Sequence, residues 1–263
     1  MAETSVSGGT DQFVEVAGER LHLRRGGSGD PVLVLGHDIG NPGWLPFHQQ
    51  LAARFDVLAP SHPGYDQSDR PEWLRSVRDV AAIYQWLLAD LGLERVTLVG
   101  LGFGGWIAAE MASLAPATFK RLILVGAMGI KPTDGDILDQ SLLNYIQYAQ
   151  AGFHDVAAFE AIYGSAPTTD QLETWDRNRE TTFRIAWKPY LYSPTLPHLL
   201  GGITAPALVV WGANDRIVPL SCGDRYVAAL SDARLRVIEA CGHCVEMERP
   251  AELAEAVARF VNS

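Results

Sequence analysis

Val96-Thr97-Leu98-Val99-Gly100-Leu101-Gly102-Phe103-Gly104-Gly105-Trp106-Ile107-Ala108-Ala109-Glu110-Met111-Ala112 reads as a strand, a glycine turn and a helix in immediate succession. Val96–Val99 is a short apolar run, as expected of a strand buried on both faces. Gly105–Ala115 then carries apolar residues at three- and four-residue spacing, the helical period. The glycines between them allow strand and helix to cross closely. Gly100, Gly102 and Gly105 also satisfy G-x-G-x-x-G, the dinucleotide-binding fingerprint. That fingerprint belongs to the first strand of its unit and wants an acid at the end of the next strand to hold a ribose. Here several strands come first, and the next one ends Leu124-Val125-Gly126-Ala127 with no acid. No nucleotide cofactor is therefore expected.

Outward from this turn the chain alternates. Phe13–Val16 and Arg20–Leu23 flank Gly18 as an antiparallel hairpin. Val32–Leu35, Val57–Ala59, Leu122–Val125, Leu208–Trp211 and Leu235–Ile238 are further short apolar runs, and Val77–Leu91, Gly223–Leu230 and Ala251–Val261 have helical periodicity. Alternation of this kind predicts an α/β fold, a mostly parallel, doubly wound sheet. From about residue 130 to 200 the rhythm breaks into helical pattern rich in aromatics, including Tyr145, Tyr148, Phe153, Phe159, Tyr163, Trp175, Phe183, Trp187 and Tyr190. This segment is expected to be a helical cap over the sheet. About two thirds of its aromatics should be plain packing, the rest lining an apolar pocket beneath. No linker divides the 263 residues, so one domain, 1–263, is expected.

The net charge of −10 argues against nucleic acid or an anionic membrane as partner. A small, largely apolar substrate or ligand fits better. Met1–Gly9 has no basic or apolar leader character, and no apolar run reaches the roughly 18 residues of a membrane span, so a cytoplasmic location is expected. The three cysteines, Cys222, Cys241 and Cys244, are odd in number and clustered late, which disfavours a disulfide framework. Cys241-Gly-His-Cys244 lacks the second ligand pair of a structural zinc site, so no metal is expected there.

The glycine turn resembles the nucleophile elbow G-x-S-x-G of the α/β-hydrolase fold superfamily, with Gly102 in the serine slot. Asp215 in Trp211-Gly-Ala-Asn-Asp-Arg-Ile-Val-Pro219 and His243 in Cys241-Gly-His-Cys-Val-Glu-Met-Glu-Arg-Pro250 then fall in the order nucleophile, acid, base of that family. Leu35-Gly36-His37-Asp38 stands where the family often has His-Gly-x, and Pro60-Ser-His-Pro-Gly-Tyr-Asp-Gln-Ser-Asp69 lies close to its D-x-x-G-x-G-x-S turn. The resemblance spans nearly the whole chain. It implies a scaffold for hydrolysis of small ester, amide or related acyl compounds without cofactor or metal, and an oxyanion hole from the amides of Asp38 and Phe103.

Two departures fall on the chemistry. The His-Gly pair is inverted, and Asp38 could turn its carboxylate toward or away from an oxyanion. Gly102 has no hydroxyl, so no acyl-enzyme can form on it. Two alternatives to a silent scaffold are carried forward. His243, oriented by Asp215, could act as a general base without a nucleophile. Alternatively, cap and sheet could bind a small molecule without turnover. Cys244 is not expected to substitute as nucleophile, since a chain neighbour of His243 points away from the elbow. His22, His48, His62, His154 and His198 read as structural.

Overall fold

A computed structural model describes residues 8–263; of the Met1–Gly9 stretch, residues 1–7 lie outside the described residues. Strands β1 (Thr10–Val16) and β2 (Glu19–Gly26) form the expected hairpin, Val16 pairing with Glu19 across a two-residue turn. Both turn residues, Ala17 and Gly18, have positive φ, the backbone whose twist matches that of paired strands. Beyond it lie β3 (Pro31–Leu35), β4 (Asp56–Pro60), β5 (Val96–Leu101), β6 (Phe119–Val125), β7 (Ala207–Gly212) and β8 (Ala233–Ile238). The eight strands form one sheet in the order β1-β2-β4-β3-β5-β6-β7-β8, antiparallel at β1-β2 and β2-β4 and parallel from β4 onward.

Helices cover both faces because the parallel strands are apolar on both. In chain order they are α1 (Pro46–Ala52), α2 (Val77–Asp90), α3 (Phe103–Leu114), α4 (Tyr145–Ala151), α5 (Val156–Tyr163), α6 (Thr169–Ala186), α7 (Leu196–Leu199), α8 (Ser221–Ala229), α9 (Val245–Glu248) and α10 (Pro250–Val261). Helices α2, α3 and α8 pack on one face of the sheet, around Val80, Tyr84, Ile107, Met111 and Tyr226. On the other face α1 and α10 pack through Phe47, Leu51, Leu253 and Val257. The sequence pattern did not reveal α1: seven residues are too few to establish a period, and its start is marked only by Pro46 at the first turn. Between β6 and β7 the chain forms α4 to α7 and no strand of the sheet. Phe153, Phe159 and Trp175 of this insertion form a third cluster with Leu45, Cys244 and Met247. Most of the insertion's aromatics thus pack rather than line a pocket. Among the described residues no helix is long and apolar enough to cross a membrane.

Candidate active site

The carboxyl ends of β3, β5, β7 and β8 lead into the loops that carry Asp38, Gly102, Asp215 and His243. This is the edge where doubly wound sheets place their ligands. Gly102 links β5 directly to α3 at φ 53°, ψ −111°, with its N–H bonded to Val125 O at 2.8 Å and its carbonyl accepting from Met128 N at 3.0 Å. A non-glycine residue held there costs on the order of 1–3 kcal/mol, which glycine largely avoids. The crossing beneath is equally tight, since a Cβ at Gly100 would lie 2.5 Å from Gly104 O.

His243 and Asp215 meet, Nδ1 to Oδ2, at 2.8 Å, with both side chains at most 3% exposed. The other Asp215 oxygen accepts Ile217 N at 2.8 Å and Val218 N at 2.9 Å, so the loop after β7 fixes the carboxylate and the carboxylate fixes the imidazole. Burial by itself would lower the His243 pKa; Asp215, by charge and hydrogen bond, outweighs it and holds the imidazole above its ordinary value. His243 Nε2 is buried and has no hydrogen-bond partner. It would sit 2.8 Å from a Cβ built on Gly102. The N–H groups of Asp38 and Phe103 have no backbone or side-chain acceptor among the described residues. By contrast, the Gly104 and Gly105 N–H groups bond to Gly36 O and Gly102 O, so the glycine turn offers few free donors to a pyrophosphate.

The Asp38 carboxylate turns toward the insertion. Its Oδ2 accepts from Tyr148 OH of α4 at 2.7 Å and from Gln140 Nε2 at 3.4 Å. Burial and the adjacent Asp38 push the Tyr148 hydroxyl well above the usual phenol range, so it stays a donor.

Sequence reasoning passed over His37 and Glu246 as site residues. The His37 ring lies 4.9 Å from that of His243, edge to face, and its Nδ1 falls where a side chain on Gly102 would begin. His37 Nε2 lies 3.1–3.2 Å from both Glu246 oxygens, the hydrogen bond going to Oε2. Burial would raise the Glu246 carboxyl, but His37 draws it below the usual carboxylate range. The inverted order Gly36-His37 was the available signal: it puts an imidazole where the family's pattern has a glycine. Glu246 gave none, because nothing in the sequence pairs it with a residue 209 positions away.

The histidines read as structural include three buried in the fold, His22, His48 and His62. His62 joins Tyr84 OH at 2.7 Å to Gly36 O at 3.0 Å, bracing the loop after β3. His48, for which no nearby partner was expected, accepts the Leu45 N–H three residues back at 3.1 Å. Cys241 packs on the α10 face, whereas Cys244 lines the site cavity, so the two do not face one ion. Burial pushes the Cys244 thiol well up, which disfavours a thiolate. The cavity, lined by His37, Asp38, Ile39, Tyr148, His243 and Cys244 among others, measures ≈ 10 Å³, about enough for one water.

Residues 26–250 match the alpha/beta hydrolase fold family. The chain is 29% identical to a 2-hydroxy-6-oxononadienedioate/2-hydroxy-6-oxononatrienedioate hydrolase from a Pseudomonas species, over 96% of this chain and 97% of the relative. A hydrolase of the same description from Paraburkholderia phymatum is also 29% identical, over 92% and 91% of the two chains. Among solved structures, a bacterial membrane phospholipase A superposes with a TM-score of 0.82 at 24% identity, over 97% of this chain and 86% of that one. A mutant meta-cleavage product hydrolase superposes with a TM-score of 0.79 at 22% identity, over 95% and 97%.

Proposed function

Because the chain belongs to the alpha/beta hydrolase fold family, we propose that it performs base-assisted chemistry on a small acyl or keto compound without forming a covalent acyl-enzyme. The reading rests on one observation above all: the His243 imidazole is oriented by Asp215 and turns a buried, unpartnered Nε2 toward Gly102, where a nucleophile side chain would otherwise stand. A water in the cavity gives its proton to His243 Nε2 while its oxygen bonds to the carbonyl carbon. The carbonyl electrons move to oxygen, which the Asp38 and Phe103 N–H groups face. Protonated His243 then returns its proton to the leaving group as the second bond breaks. The Asp38 carboxylate, held by Tyr148 and Gln140, leaves its amide to serve the oxyanion.

Substrates in the class of the relatives' dienedioates, whose 2-hydroxyl enol is conjugated to the 6-oxo group, suit this scheme once the enol has ketonised by moving its proton to the carbon beside the 6-oxo group: the electrons of the breaking C–C bond then pass into a dienolate that takes the proton from His243. We assign α4 to α7 as the cap of a single hydrolase domain, opening to admit the substrate. The test is turnover of p-nitrophenyl esters and 2-hydroxy-6-oxo-dienoates by wild type, His243→Ala and Asp215→Asn. Slow turnover without an acyl-enzyme burst is expected, falling about 10²–10⁴-fold in His243→Ala. Turnover that His243→Ala leaves intact would refute the proposal.

A further inference from the structure

We infer that the same pocket is a binding site for one divalent transition-metal ion of the zinc class, held by His37 Nδ1, the Asp38 carboxylate and His243 Nε2. The inference shares the His243 lone pair with the proposed function but does not depend on turnover. One ligand atom from each of His37, Asp38 and His243 lies within 4.8 Å of the others, and all three residues are at most 3% exposed.

The two imidazoles meet the usual requirements of metal ligation. His37 Nδ1 and His243 Nε2 are both buried without a hydrogen-bond partner. Each ring gives its other nitrogen to a carboxylate, His37 to Glu246 and His243 to Asp215. That outer carboxylate fixes the tautomer and directs a lone pair inward, as it does around histidines that bind zinc. Two histidines and one carboxylate, with a fourth position left for water, form a common set for zinc catalysis and for related divalent ions.

Charge and space agree with this. Three buried carboxyl groups, those of Asp38, Asp215 and Glu246, surround the two imidazoles, and among the described residues no Lys or Arg forms an ion pair with any of them. Even with both imidazoles as partners, two rings against three carboxyl groups leave the site able to take the charge of a cation. A side chain on Gly102 would begin where His37 Nδ1 now lies, so the glycine lets both imidazoles approach, and the cavity lined by these residues holds one water-sized occupant. Ions bound at roughly 2.0–2.2 Å would draw the three ligand atoms inward. A metal on His243 Nε2 and a proton on it exclude each other, so occupancy and base-dependent turnover compete.

The experiment begins with chelator-stripped full-length protein, titrated with Zn²⁺ by calorimetry and with Co²⁺ by visible absorption. One ion per chain is expected, with the intense visible bands of tetrahedral or five-coordinate cobalt. His37→Ala and Asp38→Asn should each weaken binding by more than about tenfold, and Glu246→Gln by about 10–100-fold, the range for loss of an outer partner. Cys241→Ser, on the α10 face away from the cavity, should leave affinity unchanged; circular dichroism checks that each variant folds. Absence of 1:1 binding, or binding that His37→Ala and Asp38→Asn do not weaken, would overturn the site. Loss of Zn²⁺ binding with His243-dependent turnover retained would leave the proposed function standing. Binding through His37 and Asp38 in a chain with no His243-dependent turnover would support the site and defeat the base mechanism.

Discussion

At position 102 the absence of a side chain is structural as well as chemical. A Cβ there meets both His37 Nδ1 and His243 Nε2, and the φ of 53° disfavours any L side chain. Gly102→Ser alone should therefore lose on the order of 1–3 kcal/mol of stability and gain little esterase activity, because its hydroxyl enters space that His37 fills. Removing His37 as well, with Glu246→Gln so that no carboxylate is buried unpaired, should give His243-dependent hydrolysis of p-nitrophenyl esters with an acyl-enzyme burst. A burst from Gly102→Ser by itself, as large as from the triple variant, would show that His37 yields freely.

Helix α3 holds the elbow at the scale of the element. It is buried from Phe103 to Ala112, and its first turn rides on β3 and β5 so closely that a Cβ at Gly104 would strike the Leu35 carbonyl. That neighbour is backbone and cannot swing aside. Gly104→Ala is expected to cost at least the 1–3 kcal/mol typical of overpacking, and to reduce turnover too, since the shift separates the Asp38 and Phe103 amides. Helix α2 provides the contrast. Ser76 accepts the Asp79 N–H at 3.2 Å, and Asp79 returns a bond to the Ser76 N–H at 2.9 Å. Ser76→Ala should cost about 1 kcal/mol in urea unfolding with kcat unchanged, because the cap's hydrogen bonds run between Ser76 and Asp79 and reach no residue of the candidate site.

For the molecule as a whole, buried neutral histidines predict the response to acid. Burial pushes His48 and His62 down to about 4, and each uses Nδ1 as an acceptor, from Leu45 N–H and Tyr84 OH. The unfolded chain takes up these protons near pH 6.5, the folded chain only near 4. Stability from these groups is therefore complete above pH 6.5 and lost as pH falls from there to about 4, by roughly 3 kcal/mol per histidine. Urea midpoints measured across that window should fall, and a His48→Asn, His62→Gln double variant should flatten the slope. Equal slopes in both proteins would assign acid sensitivity elsewhere.

The strand–turn–helix at 96–112, the alternation of elements and the order of Gly102, Asp215 and His243 were all legible along the chain, because apolar period and glycine spacing act locally. The hairpin and the helical run between β6 and β7 were readable for the same reason. Helix α1 was too short to show a period. Which way Asp38 turns depends on Tyr148, 110 residues away, and the pairing of His37 with Glu246 depends on the loop after β3 meeting the turn before α9. Such contacts are set by how the sheet is closed and covered, and no periodicity in the sequence records them. Sequence thus determined the scaffold and set a glycine at the turn between β5 and α3. Tertiary packing alone decided that a second imidazole would face the space left at Gly102.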